Sequence, residues 1–305
     1  MNTRVEADSR SRELLSTGRA LFQLTKPGVT RLVFATTLFG AVLAPGAMDL
    51  WLAWWTVLGT LLIVASANAL NMYIEHEVDA LMERTRERPL PSGRLSREVA
   101  LGFGLLLGVT GLGVLGVYVN PLTCGLGAAA LLSYVCIYTP LKAKTPWALQ
   151  IGAIPGAMPP VLGYTGLAGH LDLAALSLFA VLFTWQLPHF LAISVFRRAE
   201  YARAGLRVLP VVHGLERTRR EVVGWTVLMV LASLSPWLVG VGSVWYLVGA
   251  LVTGLGMLAL ALRSPELTHL GAGGGVALEA WSRRVFFASM PYLVVLFGLL
   301  AVSAT

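Results

Sequence analysis

Nine stretches of this chain are apolar over about the length that a helix needs to cross a lipid bilayer. They lie at residues 30–46, 51–74, 99–118, 121–139, 147–166, 173–196, 222–241, 244–262 and 285–302. A membrane-spanning helix needs about 20 predominantly apolar residues. Charged residues make up only 13% of the chain, whereas a soluble domain carries roughly 25%. The sequence therefore predicts an all-α, polytopic integral membrane bundle of nine transmembrane helices, and it excludes a soluble enzyme or a disordered chain.

Lysine and arginine are distributed unevenly along the chain. All 23 of them lie in the N-terminal tail and the start of the first apolar run, or in the connections after the second, fourth, sixth and eighth runs. Positively charged loops stay on the cytoplasmic side of a membrane. The pattern therefore predicts a cytoplasmic N-terminus and, with nine spans, an external C-terminus. The net charge of +7 follows from this topology and gives no support to nucleic-acid binding.

The N-terminal tail, residues 1–27, is polar and is predicted to precede a single membrane domain over residues 28–305. The tail contains the acidic residues Glu6, Asp8 and Glu13. These disfavour a mitochondrial transit peptide, because such peptides are poor in acidic residues. We therefore expect a multi-pass protein of a bacterial plasma (inner) membrane, surrounded by the lipid bilayer.

Three polar residues close the second apolar run at helical spacing, and we call them the acidic ladder. Asn71, Glu75 and Asp79 follow one another at intervals of four residues, so that on a helix of about 3.6 residues per turn they share one face. Amide and carboxylate oxygens in such a row suit Mg²⁺, which proteins hold through one or two carboxylates together with substrate phosphates. The alternative is that the carboxylates are only interfacial residues at the end of a helix.

Basic residues follow the acidic ladder. Arg84 and Arg88 lie four residues apart, and planar guanidinium groups suit phosphate oxygens. Lys142 lies between the fourth and fifth runs and is one of only three lysines in the chain. Because most other basic residues are arginines, a lysine at this position indicates a site that requires a compact ammonium group. Arg198, after the sixth run, is predicted to face the same cytoplasmic mouth. For the arginines, anchoring of the inner loops by positive charge is the alternative.

The fifth and sixth runs carry features that ordinary spans lack. Residues 147–166 contain several prolines and glycines, which predict a bent or broken helix. Such a segment suits either a flat substrate or close helix packing. In the sixth run, Trp185, Gln186 and His189 fall within about one helical turn. A buried histidine there is either hydrogen-bonded within the bundle or available as an iron ligand, and both readings stay open.

Four segments together resemble the UbiA-type intramembrane prenyltransferases. They are residues 24–28, 71–94, 138–163 and 183–210. The most specific runs within them are Met-x-Arg-Thr-x-x-Arg-Pro from Met82, Tyr-Thr-Pro-Leu-Lys from Tyr138 and Trp-Gln-x-Pro-His-Phe from Trp185. These runs are similar to the heme-modifying branch of that family rather than to its quinone or chlorophyll branches.

The resemblance implies a helical bundle around a central cavity. In that cavity a farnesyl group would pass from farnesyl diphosphate to the vinyl group of protoheme IX, giving heme O and diphosphate. It implies Mg²⁺ bound by the acidic ladder with Glu200 as a further ligand, and it makes the three ladder residues and Lys142 the catalytic residues. The residues implied to hold the diphosphate are Arg84, Arg88, Lys142 and Arg198. The residues implied to face the heme and the cavity are Tyr138, Trp185, Gln186 and His189. A downstream heme-modifying oxidase is the implied protein partner.

The chain departs from the family pattern in both acidic motifs, and Ala143 stands after the motif lysine where many relatives have a basic residue. Glu75 stands where aspartate is common in the first acidic motif, which lengthens that side chain by one methylene. The second acidic motif, which has paired aspartates in the family, is represented only by Glu200. The nearest alternative function is prenyl transfer to a quinone precursor or another aromatic acceptor. A secondary transporter would place ionisable groups near mid-membrane in repeated halves, whereas here they crowd one end of the spans.

Overall fold

A computed structural model describes residues 15–265 and 274–303. Within these residues the chain is helical apart from its connections, and it contains no strand. The predicted all-α class is therefore confirmed. Residues 1–14 of the predicted tail lie outside the described part of the chain.

The helices are numbered in chain order. They are α1 (residues 15–24), α2 (Pro27–Val42), α3 (Leu50–Ala80), α4 (Arg97–Tyr118), α5 (Pro121–Leu132), α6 (Thr139–Leu141), α7 (Ala148–Gly156), α8 (Met158–Ala168), α9 (Leu173–Phe196), α10 (Arg198–Arg203), α11 (Leu209–Val212), α12 (Gly214–Ala232), α13 (Ser235–Leu238), α14 (Val244–Leu262) and α15 (Gly274–Ser303). A π-helical segment, Ser133–Tyr138, joins α5 and α6 into one continuous helix.

Seven helical units among the described residues are long and apolar enough to cross a membrane. They are α3, α4, the α5–α6 unit, α9, the α12–α13 unit, α14 and α15. The chain is therefore a multi-pass membrane protein. The other two predicted spans fold differently: the first is the 16-residue helix α2, and the fifth is divided between α7 and α8. Helix length thus does not confirm the predicted count of nine full spans.

Proline explains why the fifth apolar run is divided. Pro155 lies inside α7, and Pro159 and Pro160 lie in the first turn of α8. Proline lacks a backbone N–H group, and its ring clashes with a carbonyl of the preceding turn. The predicted break in this run is therefore present. The first run ends early for a related reason, since Pro45 and the positive-φ residue Gly46 lie in the turn that follows α2.

Helices α2 and α8 pack backbone against backbone. A Cβ atom built on Gly40 would overlap the carbonyl oxygen of Pro160, and one built on Gly163 would overlap the carbonyl oxygen of Thr37. Small residues allow such close approach between membrane helices. Gly163, in the fifth apolar run, therefore serves helix packing. Its contact with Thr37 holds α2 against α8.

The largest apolar core lies among α8, α9, α12, α14 and α15. Its fully buried members include Leu178, Met229, Tyr246, Leu278 and Phe297. A smaller cluster holds α1 against α3, where Leu24 packs with Ala69 and Met72. Part of the segment assigned to a polar tail is thus a helix packed on the bundle, and the domain division at residue 27 stays a prediction.

Polar side chains mark where several helices begin. Each of five helices has an N-terminal residue whose side chain accepts a hydrogen bond from backbone N–H groups of the first turn, which would otherwise lack partners. These capping residues are Asp49, Ser96, Asn120, Asp172 and Ser243. All except Ser96 lie in short connections without lysine or arginine. The opposite end of the bundle, formed by connections 81–96, 142–147 and 197–213, is called the basic end below.

Candidate active site

The acidic ladder lies at the basic end, on the last turns of α3. This helix is continuous over 31 residues, so its three polar residues share one face as predicted. Asn71 and Asp79 are each 1% exposed, and the Glu75 side chain is 15% exposed. Polar groups buried to this extent need partners. The partners are three cationic side chains from three other segments of the chain.

The first two members of the ladder contact lysines. Lys26, the residue before α2, donates from Nζ to Asn71 Oδ1 at 2.9 Å, and the Asn71 amide nitrogen donates to Thr139 Oγ1 at 3.2 Å. Lys142 Nζ lies 2.9 Å from Glu75 Oε1 and donates to Oε2 at 3.1 Å. Glu75 Oε1 is buried and accepts no hydrogen bond of its own. The ammonium nitrogen of Lys142 nevertheless lies within ion-pair distance of that oxygen, so Glu75 is paired with Lys142 through both carboxylate oxygens.

The third member, Asp79, contacts the loop that follows it. Arg88 Nη1 donates to Asp79 Oδ2 at 2.6 Å, and Thr85 Oγ1 donates to the backbone oxygen of Asp79 at 2.8 Å. These two bonds fold the arginine-bearing loop back onto the end of α3. Burial of a carboxylate is tolerated when an opposite charge and hydrogen bonds compensate it, and Arg88 supplies both for Asp79.

Glu200 connects the same loop to α10. It is 7% exposed, its Oε1 accepts a hydrogen bond from the backbone N–H of Arg84 at 3.2 Å, and Arg197 Nη1 lies 3.3 Å from Oε2. Within residues 15–265 and 274–303, no group of three or more histidine, cysteine, aspartate or glutamate side chains is arranged to hold a metal ion. The role of Glu200 as a metal ligand stays a prediction, while its observed contact is with the arginine-bearing loop.

A cavity of about 630 Å³ lies at the basic end. Four of its lining residues are cationic: Lys26, Arg84, Arg88 and Arg94. The other lining residues are Gln23, Met72, Glu87, Pro89 and Ser92. A cleft lined mainly by one sign of charge raises the local concentration of the opposite ion. The cavity therefore suits an anion.

The structure divides the four residues that were predicted to hold a diphosphate. Arg84 and Arg88 line the cavity. Lys142 contacts Glu75 of the ladder instead, and Arg198 is exposed at the start of α10. Arg88 also contacts the ladder, so it belongs both to the cavity and to the carboxylate pairs.

Lys26 is a site residue that sequence reasoning missed. Its backbone has φ 51° and ψ 70°, and among the described residues it is the only non-glycine residue with positive φ. The available signal was the scarcity of lysine, since Lys26, Lys142 and Lys144 are the only three. Burial, followed by the charges of Lys142 and Arg88, lowers the pKa of Lys26 to about 7. An anion beside this amine would favour its charged form and oppose that shift.

Tyr138 positions Lys142. The Lys142 Nζ atom lies 4.8 Å from the centroid of the Tyr138 ring, which is within cation–π distance. The ring rests against Gly152 of α7, where a Cβ atom would overlap it. Tyr138 also ends the π-helical segment, and such segments occur frequently at functional sites. The residue predicted to face substrate thus contacts the lysine beside the ladder.

The other residues predicted to face the heme lie on α9. Trp185 Nε1 donates to the carbonyl oxygen of Ser289 on α15 at 2.6 Å, and its ring stacks on His189 with centroids 4.8 Å apart. Gln186 Nε2 donates to the carbonyl oxygen of Ala153 on α7 at 3.2 Å. All three predicted residues are buried, and none lines the cavity at the basic end. They form a second polar cluster inside the bundle.

The hydrogen bonds of Ser289 assign the tautomer of His189. Ser289 Oγ lies 2.7 Å from His189 Nδ1 and donates its single hydrogen to the carbonyl oxygen of Phe286 at 2.7 Å. Ser289 therefore accepts from Nδ1–H, which leaves the lone pair of the neutral ring on Nε2. Metal-bound histidines commonly donate their other ring N–H to an oxygen. His189 is thus hydrogen-bonded within the bundle, and its role as an iron ligand stays a prediction.

The fold and the site define a class of protein. It is a multi-pass helical membrane protein in which a buried acidic ladder and a cation-lined cavity meet at one end of the bundle. That arrangement suits a metal-bound anion such as a diphosphate. The model of the UbiA prenyltransferase family matches residues 33–272. The chain belongs to the UbiA prenyltransferase family.

Several curated relatives cover most of the chain. A protoheme IX farnesyltransferase of Sorangium cellulosum (strain So ce56) is 53% identical over 81% of this chain and 86% of its own length. The protein of the same name from Myxococcus xanthus (strain DK1622) is 42% identical over 96% of this chain and 97% of its own. That of Anaeromyxobacter sp. (strain Fw109-5) is 43% identical over 98% of both chains.

Solved structures show the same fold. A digeranylgeranylglyceryl phosphate synthase aligns with a TM-score of 0.76 and 17% identity, over 94% of this chain and 98% of its own. A UbiA homolog from Archaeoglobus fulgidus, bound to DMAPP and Mg²⁺, aligns with a TM-score of 0.62 and 16% identity, over 90% of this chain and 99% of its own. These likenesses confirm the UbiA-type helical bundle.

Proposed function

We propose that this protein transfers a farnesyl group from farnesyl diphosphate to the vinyl group of protoheme IX, giving heme O and diphosphate. The observation that carries the proposal is that Lys26 and Arg88 both line the anion cavity and contact the acidic ladder. A metal-bound prenyl diphosphate would satisfy both features at once. The acceptor is inferred from relatives 42–53% identical that bear the name protoheme IX farnesyltransferase.

Mg²⁺ fits the chemistry of the ladder. Glu75 Oε1 is buried with the Lys142 ammonium group, which a metal ion would displace, as its charged neighbour, and Asn71 and Asp79 supply further oxygens on the same helix face. Asn71, Glu75 and Asp79 would hold the ion together with diphosphate oxygens, with Glu200 as the candidate for a further ligand. The bound ion would neutralise part of the charge of the diphosphate. The Mg²⁺ bound to the A. fulgidus homolog supports this assignment.

Cationic side chains would bind the diphosphate oxygens. Arg84 and Arg88 line the cavity, Lys142 lies beside Glu75, and Arg198 is proposed as a further contact from α10. Their charges would stabilise the negative charge that develops as the diphosphate departs. Since Arg88 and Lys142 are paired with carboxylates, we expect them to exchange those partners for phosphate oxygens when substrate binds.

The reaction requires no protein nucleophile. Cleavage of the allylic carbon–oxygen bond leaves its electron pair on the diphosphate and a positive charge on the farnesyl group. The vinyl π electrons form the new carbon–carbon bond, and the resulting cation beside the porphyrin takes a hydroxyl group from water with release of one proton. Aromatic side chains near the reacting carbons, for which Tyr138 and Trp185 are the candidates, would stabilise these cations and exclude bulk water.

His189 is proposed to face the iron side of the heme. Replacing His189 by alanine is expected to weaken heme binding by about 10- to 100-fold or more, because a ligand with its lone pair on Nε2 is lost. The measurement is a titration of heme into purified protein, followed by visible absorption. His170→Ala is the matched control, since His170 is 56% exposed in the connection between α8 and α9. An unchanged heme spectrum and affinity in His189→Ala would restrict His189 to packing and hydrogen bonding.

We further propose that the protein lies in a bacterial plasma membrane with a cytoplasmic N-terminus and an external C-terminus. The lysine and arginine residues of the connections support this orientation. A downstream heme-modifying oxidase is the proposed partner, because an apolar farnesylated heme would pass to its next enzyme within the bilayer.

The decisive test of the proposed function is a mass measurement. Protein in lipid nanodiscs is incubated with protoheme IX, isotopically labelled farnesyl diphosphate and Mg²⁺, and the extracted heme is analysed by mass spectrometry. The expected product carries one labelled farnesyl group and one hydroxyl group. Unchanged heme from folded protein would contradict the proposal, and labelled quinone precursor in a parallel incubation would favour the alternative acceptor.

A further inference from the structure

The mechanism described so far assigns Lys26 no contact with the substrate, although its position between the cavity and the ladder supports the proposed function. Lys26 belongs to the segment from Leu24 to Gly28 that resembles the family, and the structure places it in two contacts at once. Its ammonium group donates to Asn71 Oδ1 at 2.9 Å. It also lines the cavity that contains Arg84 and Arg88. An anion held by those two arginines would therefore share a cavity wall with a third positive charge.

The backbone around Lys26 is held in place from α3. Asn68 Nδ2 donates to the carbonyl oxygen of Thr25 at 3.2 Å, and Asn71, about one helical turn further on, accepts from Lys26. Leu24 on the other side is fully buried. Two asparagines one helical turn apart on α3 thus hold Thr25 and Lys26, two consecutive residues of the segment before α2.

The conformation of Lys26 is unfavourable in isolation. A left-handed backbone is uncommon outside glycine, asparagine and aspartate, and Lys26 adopts φ 51° directly before Pro27. Such conformations cost free energy and persist where surrounding contacts determine them, often at ligand sites. The left-handed residue turns the chain into α2 while its side chain faces the cavity.

We propose that Lys26 is a catalytic residue that binds the diphosphate of the prenyl donor together with Arg84 and Arg88. The contact with Asn71 places its ammonium group beside the metal-binding ladder, where the charge of a departing diphosphate increases. The inference rests on the proposed function only in that the donor is a diphosphate. It does not depend on the identity of the acceptor.

A purely structural role predicts a different result. If Lys26 served only to hold Asn71 and the start of α2, its loss would lower thermal stability and heme binding together with every other property of the site. A diphosphate-binding role predicts a selective loss of affinity for the anion.

The experiment uses the full chain in lipid nanodiscs with Mg²⁺, and inorganic pyrophosphate as the probe in titration calorimetry. Lys26→Met is expected to weaken pyrophosphate binding by about 10- to 100-fold, the usual effect of losing a hydrogen bond to a charged group. Lys26→Arg is expected to recover most of the affinity. Lys144→Met is the matched control, because Lys144 is exposed and does not line the cavity. Heme binding is expected to stay unchanged in all three variants.

A further substitution at position 26 distinguishes loss of the charge from misfolding. Lys26→Asn removes the charge with a residue that tolerates the left-handed conformation. Unchanged pyrophosphate affinity in Lys26→Met or in folded Lys26→Asn would overturn the proposal, as would wild-type protein that binds no pyrophosphate, or a parallel loss of heme affinity in both variants. Wild-type protein that binds pyrophosphate but yields no farnesylated heme would instead refute the acceptor and leave the Lys26 comparison intact.

Discussion

Replacing Asp79 by asparagine is expected to lower kcat/KM for farnesyl transfer by about 100- to 1,000-fold at saturating Mg²⁺, the range found when one group that stabilises transition-state charge is removed. Asp79 is 1% exposed, and its carboxylate receives a 2.6 Å contact from Arg88. The substitution removes one anionic oxygen from the proposed metal ligands. It also leaves the Arg88 charge without its partner, so the cavity wall that this arginine lines changes as well.

The measurement compares initial rates of heme farnesylation in wild-type protein and in Asp79→Asn. Glu77→Gln is the matched control, because the Glu77 side chain lies on the same turns of α3 but is 84% exposed. We expect that control to keep wild-type rates. Retained heme binding in Asp79→Asn would show that the bundle is folded. Near-normal turnover in the folded variant would remove the acidic ladder from the mechanism.

Replacing Gly163 by alanine is expected to destabilise the bundle by about 1–3 kcal/mol or more, the range for overpacking a well-packed contact. The new Cβ atom would overlap the carbonyl oxygen of Thr37. Backbone atoms cannot move aside as a flexible side chain can, so α2 and α8 must separate. Because α2 begins directly after Lys26, we also expect weaker pyrophosphate binding in this variant.

Thermal unfolding in lipid nanodiscs measures the loss of stability. Gly113→Ala is the matched control, since Gly113 lies inside α4 and a Cβ atom there would meet nothing within 4 Å. Alanine favours helix over glycine by up to about 1 kcal/mol, so the control is expected to unfold at the wild-type temperature or above it. Equal unfolding temperatures for wild type and Gly163→Ala would show that α2 and α8 are not in close contact.

The apolar pattern predicts which segments form membrane helices, but not whether each segment remains a single helix. Hydropathy identifies the segments that become helices in the membrane, because each backbone polar group must be satisfied within its own helix there. It does not decide whether a run remains one helix. The fifth run is divided because Pro155 and Pro159 interrupt the backbone hydrogen bonds, and α2 ends at Val42 before the turn containing Gly46.

In the site, the sequence predicted the alignment of the ladder residues but not their contacts with distant parts of the chain. The spacing of Asn71, Glu75 and Asp79 predicted a shared helix face, and α3 is helical throughout that stretch. Nothing in the spacing indicated that Lys26, 45 residues before Asn71, would donate to it. Glu200 likewise accepts a hydrogen bond from Arg84 across 116 residues of chain, a contact that depends on how two loops fold.

By itself the sequence determined the all-helical membrane class, the gathering of cations at one end and the alignment of the acidic ladder. These properties follow from apolar length, loop charge and the helical period, which act within one segment. Only the tertiary structure decided which cation meets which ladder residue, that Lys26 faces the cavity and which nitrogen of His189 carries its proton. Those outcomes depend on contacts between segments far apart in the chain, and local periodicity carries no information about them.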